Sequence, residues 1–287
     1  MSTAGYAEAT PVEGTKRRWS WRAASLGYRL LLSSWLIAAF LVGWEIWARW
    51  SDSLFVPTMG TILSTFADIW LSADASQLFL SEQFWTDASA SLTRAGLGWL
   101  FAAAVGIIGG VILGVWRQAA WFFDPMVRFG VSTPSTIFLP VAILIFGITS
   151  AMNIFLIAFG AVWVILINTL DGVRSLDRTT VLTARSLRLG RVRYLFKIVV
   201  PGASPQIFTG LRVSIGIALI LMIVAELFAA SEGLGFFISF SQRRFNYPNM
   251  WAGILLVGLI GIAANTLFAI VEARVLRWHR GAFGLDE

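Results

Sequence analysis

Residues 129–170 read FGVSTPSTIFLPVAILIFGITSAMNIFLIAFGAVWVILINTL, and this run of 42 residues contains no charged side chain. A helix needs about 20 apolar residues to span a bilayer, because it rises about 1.5 Å per residue. The run is about twice that length, and Gly147-Ile148-Thr149-Ser150 near its middle is typical of a turn. The run therefore predicts two membrane-spanning helices joined by a short connection.

Four other stretches are also long and apolar enough to span a membrane: residues 30–50, 95–116, 207–230 and 250–271. Of the 287 residues, 57% are hydrophobic and only 13% are charged, which lies outside the usual balance of a soluble domain. Together the stretches predict an all-α, polytopic membrane protein with about six transmembrane helices.

The distribution of Lys and Arg predicts the orientation of these spans. With six spans, the side that holds both termini carries 18 of the 22 Lys and Arg residues, and the opposite side carries Arg49, Arg94, Arg243 and Arg244. Both termini are therefore expected in the cytoplasm. The net charge of +6 is accounted for by this orientation and by anionic lipid, without nucleic acid as a partner.

The predicted domain organisation is a transmembrane domain over residues 30–276 with a cytoplasmic tail at each end, 1–29 and 277–287. The N-terminal tail is charged and lacks the features of a cleaved signal peptide. On the external side, residues 58–71 carry apolar side chains at helical spacing and predict an amphipathic helix on the outer membrane surface, with Thr58 as its N-cap.

Several classes of chemistry are excluded by composition. The chain has no Cys and a single His, His279, which lies in a basic tail where a solvated role is expected. A metal site needs several convergent ligands, and no acidic pair or nucleophile–base set falls within the predicted spans. The chain also lacks a Gly-rich phosphate loop, so it is not expected to hold its own nucleotide or any cofactor.

Gly106, Gly110 and Gly114 lie four residues apart within one predicted span. Small residues at this spacing allow a second helix to approach closely in a membrane. Packing within the chain is the favoured interpretation, and a subunit interface or a pore lining is the alternative.

The segment 171–205 is long for a connection between spans and carries seven positive and two negative charges. Apolar residues recur among the charges, which predicts two short amphipathic helices broken at Gly190, with Pro201 and Pro205 resetting the chain before the fifth span. Such helices need a partner, which is either another protein or anionic lipid.

This segment contains two motifs, Thr183-Ala184-Arg185-Ser186-Leu187-Arg188-Leu189-Gly190 and Ile198-Val199-Val200-Pro201-Gly202-Ala203-Ser204-Pro205, and a third, Thr209-Gly210-Leu211-Arg212, follows it. They resemble the cytoplasmic signature loop of binding-protein-dependent ABC importer permeases. Ala225-Glu226-Leu227 with Gly233-Leu234-Gly235 resembles the nitrate/sulfonate/taurine branch, and the likeness extends over roughly residues 55–280. The chain departs from the signature at Leu182, Thr183 and Arg188, where Glu, Ala and Gly are usual.

The resemblance implies a type I importer permease of a bacterial inner membrane, with a cytoplasmic coupling helix between spans four and five. That helix would dock in a cytoplasmic ATPase. The residues it assigns to ATPase coupling are Ala184, Arg185, Ser186, Leu187, Arg188, Leu189 and Gly190.

The implied partners are a second copy of the chain, two cytoplasmic ATP-binding subunits, an external solute-binding protein and membrane lipid. ATP and magnesium would be bound by the ATPase partner, so the chain itself is a transport subunit and not an enzyme. The implied solute is a small anion such as a sulfonate, nitrate or taurine.

Two further features are candidates for the translocation pathway. Glu226 lies inside an apolar span, where a carboxyl is costly; it is either structural, paired with a residue such as Arg212 or Arg94, or it lines the pathway. Thr133, Pro134 and Ser135 could expose backbone toward a cavity, with kinked packing as the alternative.

An ion-coupled secondary transporter or channel is the alternative function. It predicts several charged residues within the spans as ion relays, whereas only Glu226 lies deep in one.

Overall fold

The computed structural model describes residues 35–51, 53–72, 74, 78–187 and 189–277. The chain divides into two units, Met1–Thr61 and Ile62–Glu287, which are described separately. The predicted tail 1–29, the tail from 278 onward with His279, and Arg188 lie outside the described residues, as do the side chains of Arg178 and Arg185.

In the first unit, residues 35–51 form helix α1, which covers the described part of the expected first span. The carboxyl of Glu45 accepts a hydrogen bond from the Met59 N–H at 2.9 Å and pairs with Arg49 at 2.7 Å. Thr58 Oγ1 accepts from the Thr61 N–H at 3.3 Å, which confirms Thr58 as the N-cap of the following helix.

The helices that follow α1 are α2 (Met59–Trp70), α3 (Glu82–Val115), α4 (Arg117–Ser132), α5 (Leu139–Phe146), α6 (Ser150–Arg174), α7 (Arg178–Ser186), α8 (Arg191–Tyr194), α9 (Val200–Phe228), α10 (Leu234–Arg243) and α11 (Tyr247–Val275). Among the described residues, four helices are long and apolar enough to cross a membrane: Glu82–Val115, Ser150–Arg174, Arg191–Phe228 and Tyr247–Val275. The bent pair formed by α4 and the helical segment Ser135–Phe146 adds a fifth candidate. The all-α, polytopic prediction is therefore confirmed.

The core of the second unit forms where α3 and α9 both pack against α6 and contact each other. Gly106, Gly110 and Gly114 of α3 lie directly on α6, and a Cβ added at Gly110 would stand 2.5 Å from the Thr169 Cβ. Real Cβ atoms do not approach this closely. The glycine stripe thus packs within the chain, as the favoured interpretation predicted.

Replacing Gly110 with Ala is expected to lower the free energy of unfolding by about 1–3 kcal/mol, because the added methyl forces α3 and α6 apart. Gly96 provides a matched control in the same helix, since a Cβ there would meet no atom within 4 Å. Gly96→Ala should be neutral or stabilising by up to about 1 kcal/mol through helix propensity. Thermal unfolding of both variants in one detergent tests this, and equal stability of the two would contradict the packing.

The third span is interrupted at residues 133–135, where the sequence left open either an interrupted helix or a kinked one. The chain bends by 92° between α4 and the segment that begins at Ser135. Thr133 precedes Pro134 and adopts an extended conformation (φ −92°, ψ 121°), because the proline ring disfavours helical geometry in the residue before it. The Ser-Thr-Pro-Ser sequence therefore interrupts the helix.

The prediction that Pro201 and Pro205 reset the chain before the fifth span is wrong. A single helical stretch runs from Arg191 to Phe228 and includes both prolines. A π-helical turn over Leu195–Val199 precedes Pro201, and the Val200 N–H bonds to the Leu195 carbonyl. This wider turn rearranges the hydrogen bonds just where proline cannot donate one, so the helix continues.

Candidate functional site

The predicted coupling segment forms the helix α7, a turn at Leu187 and the start of α8 after Gly190. The Leu187 N–H bonds to the Thr183 carbonyl at 3.0 Å, and the Leu189 N–H bonds to the Ala184 carbonyl at 3.3 Å. Gly190 has φ −60° and ψ 152°, which ends the turn before α8 begins. A helix broken near Gly190 is therefore present, although its second arm continues into α9.

Two faces of this segment have different environments. Ala184 is buried and Leu189 is half-buried, and both line a cavity of about 480 Å³ with the ends of α3 and α6, at Val115 and Val173. Ser186, Leu187 and Gly190 are exposed instead, and the side chain of Leu187 is 67% accessible. The inward residues attach the segment to the spans, and the outward residues remain available to a partner.

The outward face is apolar as well as basic. Four large apolar side chains of the coupling segment are exposed: Leu182, Leu187, Val192 and Phe196. Arg191 and Arg193 are exposed beside them at the start of α8. An exposed surface with this mixture is typical of a protein interface.

A second polar site lies where α3, α9 and the turn before α10 meet. Arg94 of α3 donates from Nη1 to Glu226 Oε1 at 3.0 Å and from Nη2 to Glu232 Oε1 at 2.7 Å. Its Nε donates to Ser150 Oγ at 3.1 Å, at the first residue of α6. One guanidinium thus joins three helices and the turn, and only 6% of Arg94 is accessible.

Glu226 is satisfied on all sides within this cluster, and it is 1% accessible. Besides Arg94, its carboxyl accepts from Ser91 Oγ at 2.7 Å and from the Gly235 N–H at 3.0 Å. A buried carboxyl is tolerated when it is paired and fully hydrogen-bonded. These contacts favour the structural interpretation of Glu226, and its role in the pathway stays a prediction.

The same cluster satisfies the first N–H groups of α10. The Gly233 N–H donates to Asp87 Oδ1 at 2.9 Å, and the Leu234 N–H donates to Ser91 Oγ at 2.8 Å. The first turn of a helix leaves such N–H groups without partners inside the helix and carries a partial positive charge, so carboxyl groups bind there favourably. The cluster thereby fixes α10 against α3.

Gly233 has a specific steric reason to be glycine. Its φ is +111°, and a Cβ at this position would lie 2.6 Å from Glu226 Oε1. At Gly235 a Cβ would lie 2.6 Å from the Glu226 Cβ. The glycines of the Gly-Leu-Gly motif therefore allow the chain to wrap closely around the Glu226 side chain.

Of the two partners considered for Glu226, the structure selects Arg94. Arg212 instead lies 3.7 Å from the carboxyl of Glu272 and 3.4 Å from Asn265 Oδ1, joining α9 to α11. Asp87, Ser91 and Glu232 were not foreseen as members of the cluster. The sequence does contain a signal for Asp87 and Ser91. Together with Arg94 they are spaced so that three polar residues lie on one face of the largely apolar helix α3.

The other predicted pathway residues lie at the sharp bend of the third span. Thr133 and Ser135 are half-buried and Pro134 is exposed. Thr133 Oγ1 donates to the Phe129 carbonyl at 2.8 Å, which satisfies one of the last carbonyls of α4. These residues do not contact the Glu226 cluster through any recorded hydrogen bond, and their assignment to the pathway stays a prediction.

Residues 106–277 match the family described as "Binding-protein-dependent transport system inner membrane component". The matched region includes the glycine stripe of α3, the coupling segment and Glu226.

Two curated relatives illustrate the branch. The bicarbonate transport system permease protein CmpB of Synechococcus elongatus is 35% identical over 195 residues, covering 68% of this chain and 70% of CmpB. The taurine transport system permease protein TauC of Escherichia coli is 29% identical over 265 residues, covering 92% of this chain and 94% of TauC.

A solved structure shows the same fold. A chain of the inward-facing MetNI methionine ABC transporter superposes with a TM-score of 0.58 at 17% identity, covering 67% of this chain and 93% of that chain. The protein therefore belongs to the binding-protein-dependent ABC importer permeases, in their nitrate/sulfonate/taurine branch, and is an integral inner-membrane protein.

Proposed function

We propose that two copies of this permease form the pore of an importer for a small anionic or zwitterionic solute, with two cytoplasmic ATPase subunits and an external solute-binding protein. ATP and magnesium would bind in the ATPase subunits. Because the chain belongs to a family of ABC importer permeases, the alternative function of an ion-coupled secondary transporter or channel is not proposed. Relatives named for transport of taurine, nitrate and bicarbonate support the class of solute.

The observation that carries this proposal is the exposed apolar and basic face of the coupling segment. Leu187 and Phe196 are 67% and 70% accessible although they lie beside well-packed residues such as Ala184. Burying these side chains against a partner would stabilise the complex by removing apolar surface from water. A groove on a cytoplasmic ATPase is the partner that we propose, with both termini of the permease on the same side of the membrane.

Co-purification tests the proposed assembly. We expect the tagged permease, extracted in mild detergent, to retain an ATPase subunit in a 1:1 ratio and to hydrolyse MgATP. The purified permease without that subunit should show no hydrolysis, because the chain lacks a phosphate-binding loop. Recovery of the permease alone from cells that express the whole system would contradict the proposal.

A further inference from the structure

The cavity between the coupling segment and the ends of α3 and α6 has a cationic lining. Its volume is about 480 Å³, which lies within the usual range of small-molecule sites, about 300–1,000 Å³. Arg174, Arg191 and Tyr194 line it together with aliphatic side chains. We name this space the coupling cavity. Its lining combines guanidinium groups with apolar surface, and this combination determines which ligand fits.

The two arginines of the coupling cavity have no acidic partner among the described residues. Neither Arg174 nor Arg191 forms an ion pair there, and no described carboxyl group lines the cavity. Asp171 and Asp177, the two acidic residues of the segment 171–205, are exposed and lie outside the lining. Two guanidinium groups around one cavity repel each other, and an anion between them would replace this repulsion with two attractions.

Arg174 and Arg191 belong to different parts of the fold. Arg174 lies in the last turn of α6, and Arg191 is the first residue of α8 in the coupling segment. The ends of α3 and α6 are packed tightly beside the cavity, because a Cβ added at Gly114 would lie 2.6 Å from the Val173 Cβ. The spans therefore form a fixed wall of the cavity. An anion bound by both guanidinium groups would fasten the coupling segment to this wall.

The tryptophan residues near the cavity indicate its depth in the membrane. Val115 lines the cavity and is followed directly by Trp116, and Trp121 lies in the next helix, α4. Their side chains are 54% and 83% accessible. Exposed tryptophans are enriched at the level of the lipid headgroups. The coupling cavity therefore lies where the phosphate groups of a lipid leaflet can reach it.

Phosphate is the anion that this lining fits. A guanidinium group donates two parallel hydrogen bonds to a pair of phosphate oxygens, and a tyrosine hydroxyl is a further donor. We propose that the coupling cavity binds a phosphate group between Arg174 and Arg191, supplied by the headgroup of an anionic phospholipid or by free phosphate. The bound anion holds the coupling segment against α6 and thereby regulates how movement of the segment reaches the spans.

Thermal stability of the purified full-length permease tests the binding. In a neutral detergent, phosphatidylglycerol or inorganic phosphate at about ten times its Kd should raise the apparent melting temperature by about 3–6 °C, because a ligand that binds the folded state stabilises it. A response to phosphatidylglycerol alone identifies the lipid headgroup as the source. A response to inorganic phosphate shows that the free anion binds. Phosphatidylcholine, which has no net charge, should give no rise.

Replacing both arginines of the cavity provides the comparison. Arg174→Gln combined with Arg191→Gln should raise the Kd of the anion by about tenfold or more, since the charge-assisted hydrogen bonds are lost. Arg274→Gln combined with Arg277→Gln is the matched control, because it removes two exposed arginines near the end of α11 and should keep the wild-type Kd. No stabilisation by either anion, an equal rise with phosphatidylcholine, or an equal loss in both double variants would overturn the proposal.

The regulatory role has a separate test, which rests on the proposed function. In proteoliposomes with the assembled transporter, phosphatidylglycerol or phosphate, whichever binds, should raise solute uptake per ATP hydrolysed for the wild type and not for Arg174→Gln. Arg174 suits this test because it lies outside the exposed face proposed to bind the ATPase. No rise in the wild type, or an equal rise in the variant, would overturn the regulatory role. A wild type without ATP-driven uptake in any lipid would instead contradict the proposed function, and the binding measured on the permease alone would stand.

Discussion

Replacing Arg94 with Met is expected to lower the free energy of unfolding by about 3–5 kcal/mol, because it leaves the buried Glu226 carboxyl without its cation. The replacement also removes the donors to Glu232 and Ser150, so this side chain no longer joins α3 to α6 and to the turn before α10. The apparent melting temperature in detergent, followed by tryptophan fluorescence, measures the effect. We expect a fall of several degrees.

A double-mutant cycle separates pairing from packing. Glu226→Met combined with Arg94→Met should cost about 1–3 kcal/mol less than the sum of the single replacements, because removing both partners leaves no uncompensated charge. Arg128→Met is the matched control, since Arg128 pairs with Asp124 at 2.6 Å while its side chain is 77% accessible. That variant should change stability by less than about 0.5 kcal/mol. If the Arg94→Met variant proved as stable as the Arg128→Met variant, the cluster would have no structural role.

Replacing Leu187 with Asp is expected to separate ATP hydrolysis from transport while the permease remains folded. Leu187 is exposed, so a charged residue there disturbs no packing within the chain. A carboxyl would instead be buried against the ATPase, and loss of one apolar anchor costs about 2 kcal/mol or more. We expect the ATPase to bind about 30-fold more weakly and solute uptake to be lost, as measured by co-purification and by uptake into proteoliposomes.

Gly190→Ala is the control for this experiment. Gly190 was assigned to coupling with Leu187, but its φ of −60° is accessible to any residue and a Cβ there would meet no atom within 4 Å of the chain. Alanine should therefore preserve folding, and it should preserve coupling because it adds neither a charge nor a large side chain. Full coupling in Leu187→Asp, with the ATPase retained, would contradict the proposed docking surface.

The sequence predicted the apolar helices well because their signal is local. A window of about 20 residues without charge has few alternatives to a membrane-spanning helix. The helix Met59–Trp70 and its cap at Thr58 were predicted for the same reason, since a capping side chain bonds to a residue only three positions away.

The size of the bend in the third span was not predicted, because hydropathy is averaged over a window of residues and carries no information on the direction of the chain. Pro134 was noted, but the same residue type is compatible with a mild kink and with the 92° turn that the structure contains. The opposite error was made at Pro201 and Pro205, which were expected to end a helix. A π-helical turn at Leu195–Val199 accommodates the first of them, and no local pattern in the sequence indicates such a turn.

The ion cluster shows the limit of reasoning from one sequence. Glu226 is identifiable because a carboxyl in an apolar span is rare, but its side-chain partners Ser91 and Arg94 are 132 to 135 residues away in the chain. Physical chemistry required a partner without deciding between Arg94 and Arg212. The fold decides it, by bringing the polar face of α3 against the end of α9.

The unbroken helix from Arg191 to Phe228 has a mechanical consequence. Its 38 residues make a lever about 57 Å long at 1.5 Å per residue. A rotation of about 5° around one end of such a lever would move the other end by about 5 Å. Phe196 lies near the first end and Glu226 near the second. If the ATPase binds the coupling segment as we propose, its movement would displace the Glu226 cluster at the other end of this helix sideways, without a relay of smaller movements between the two ends.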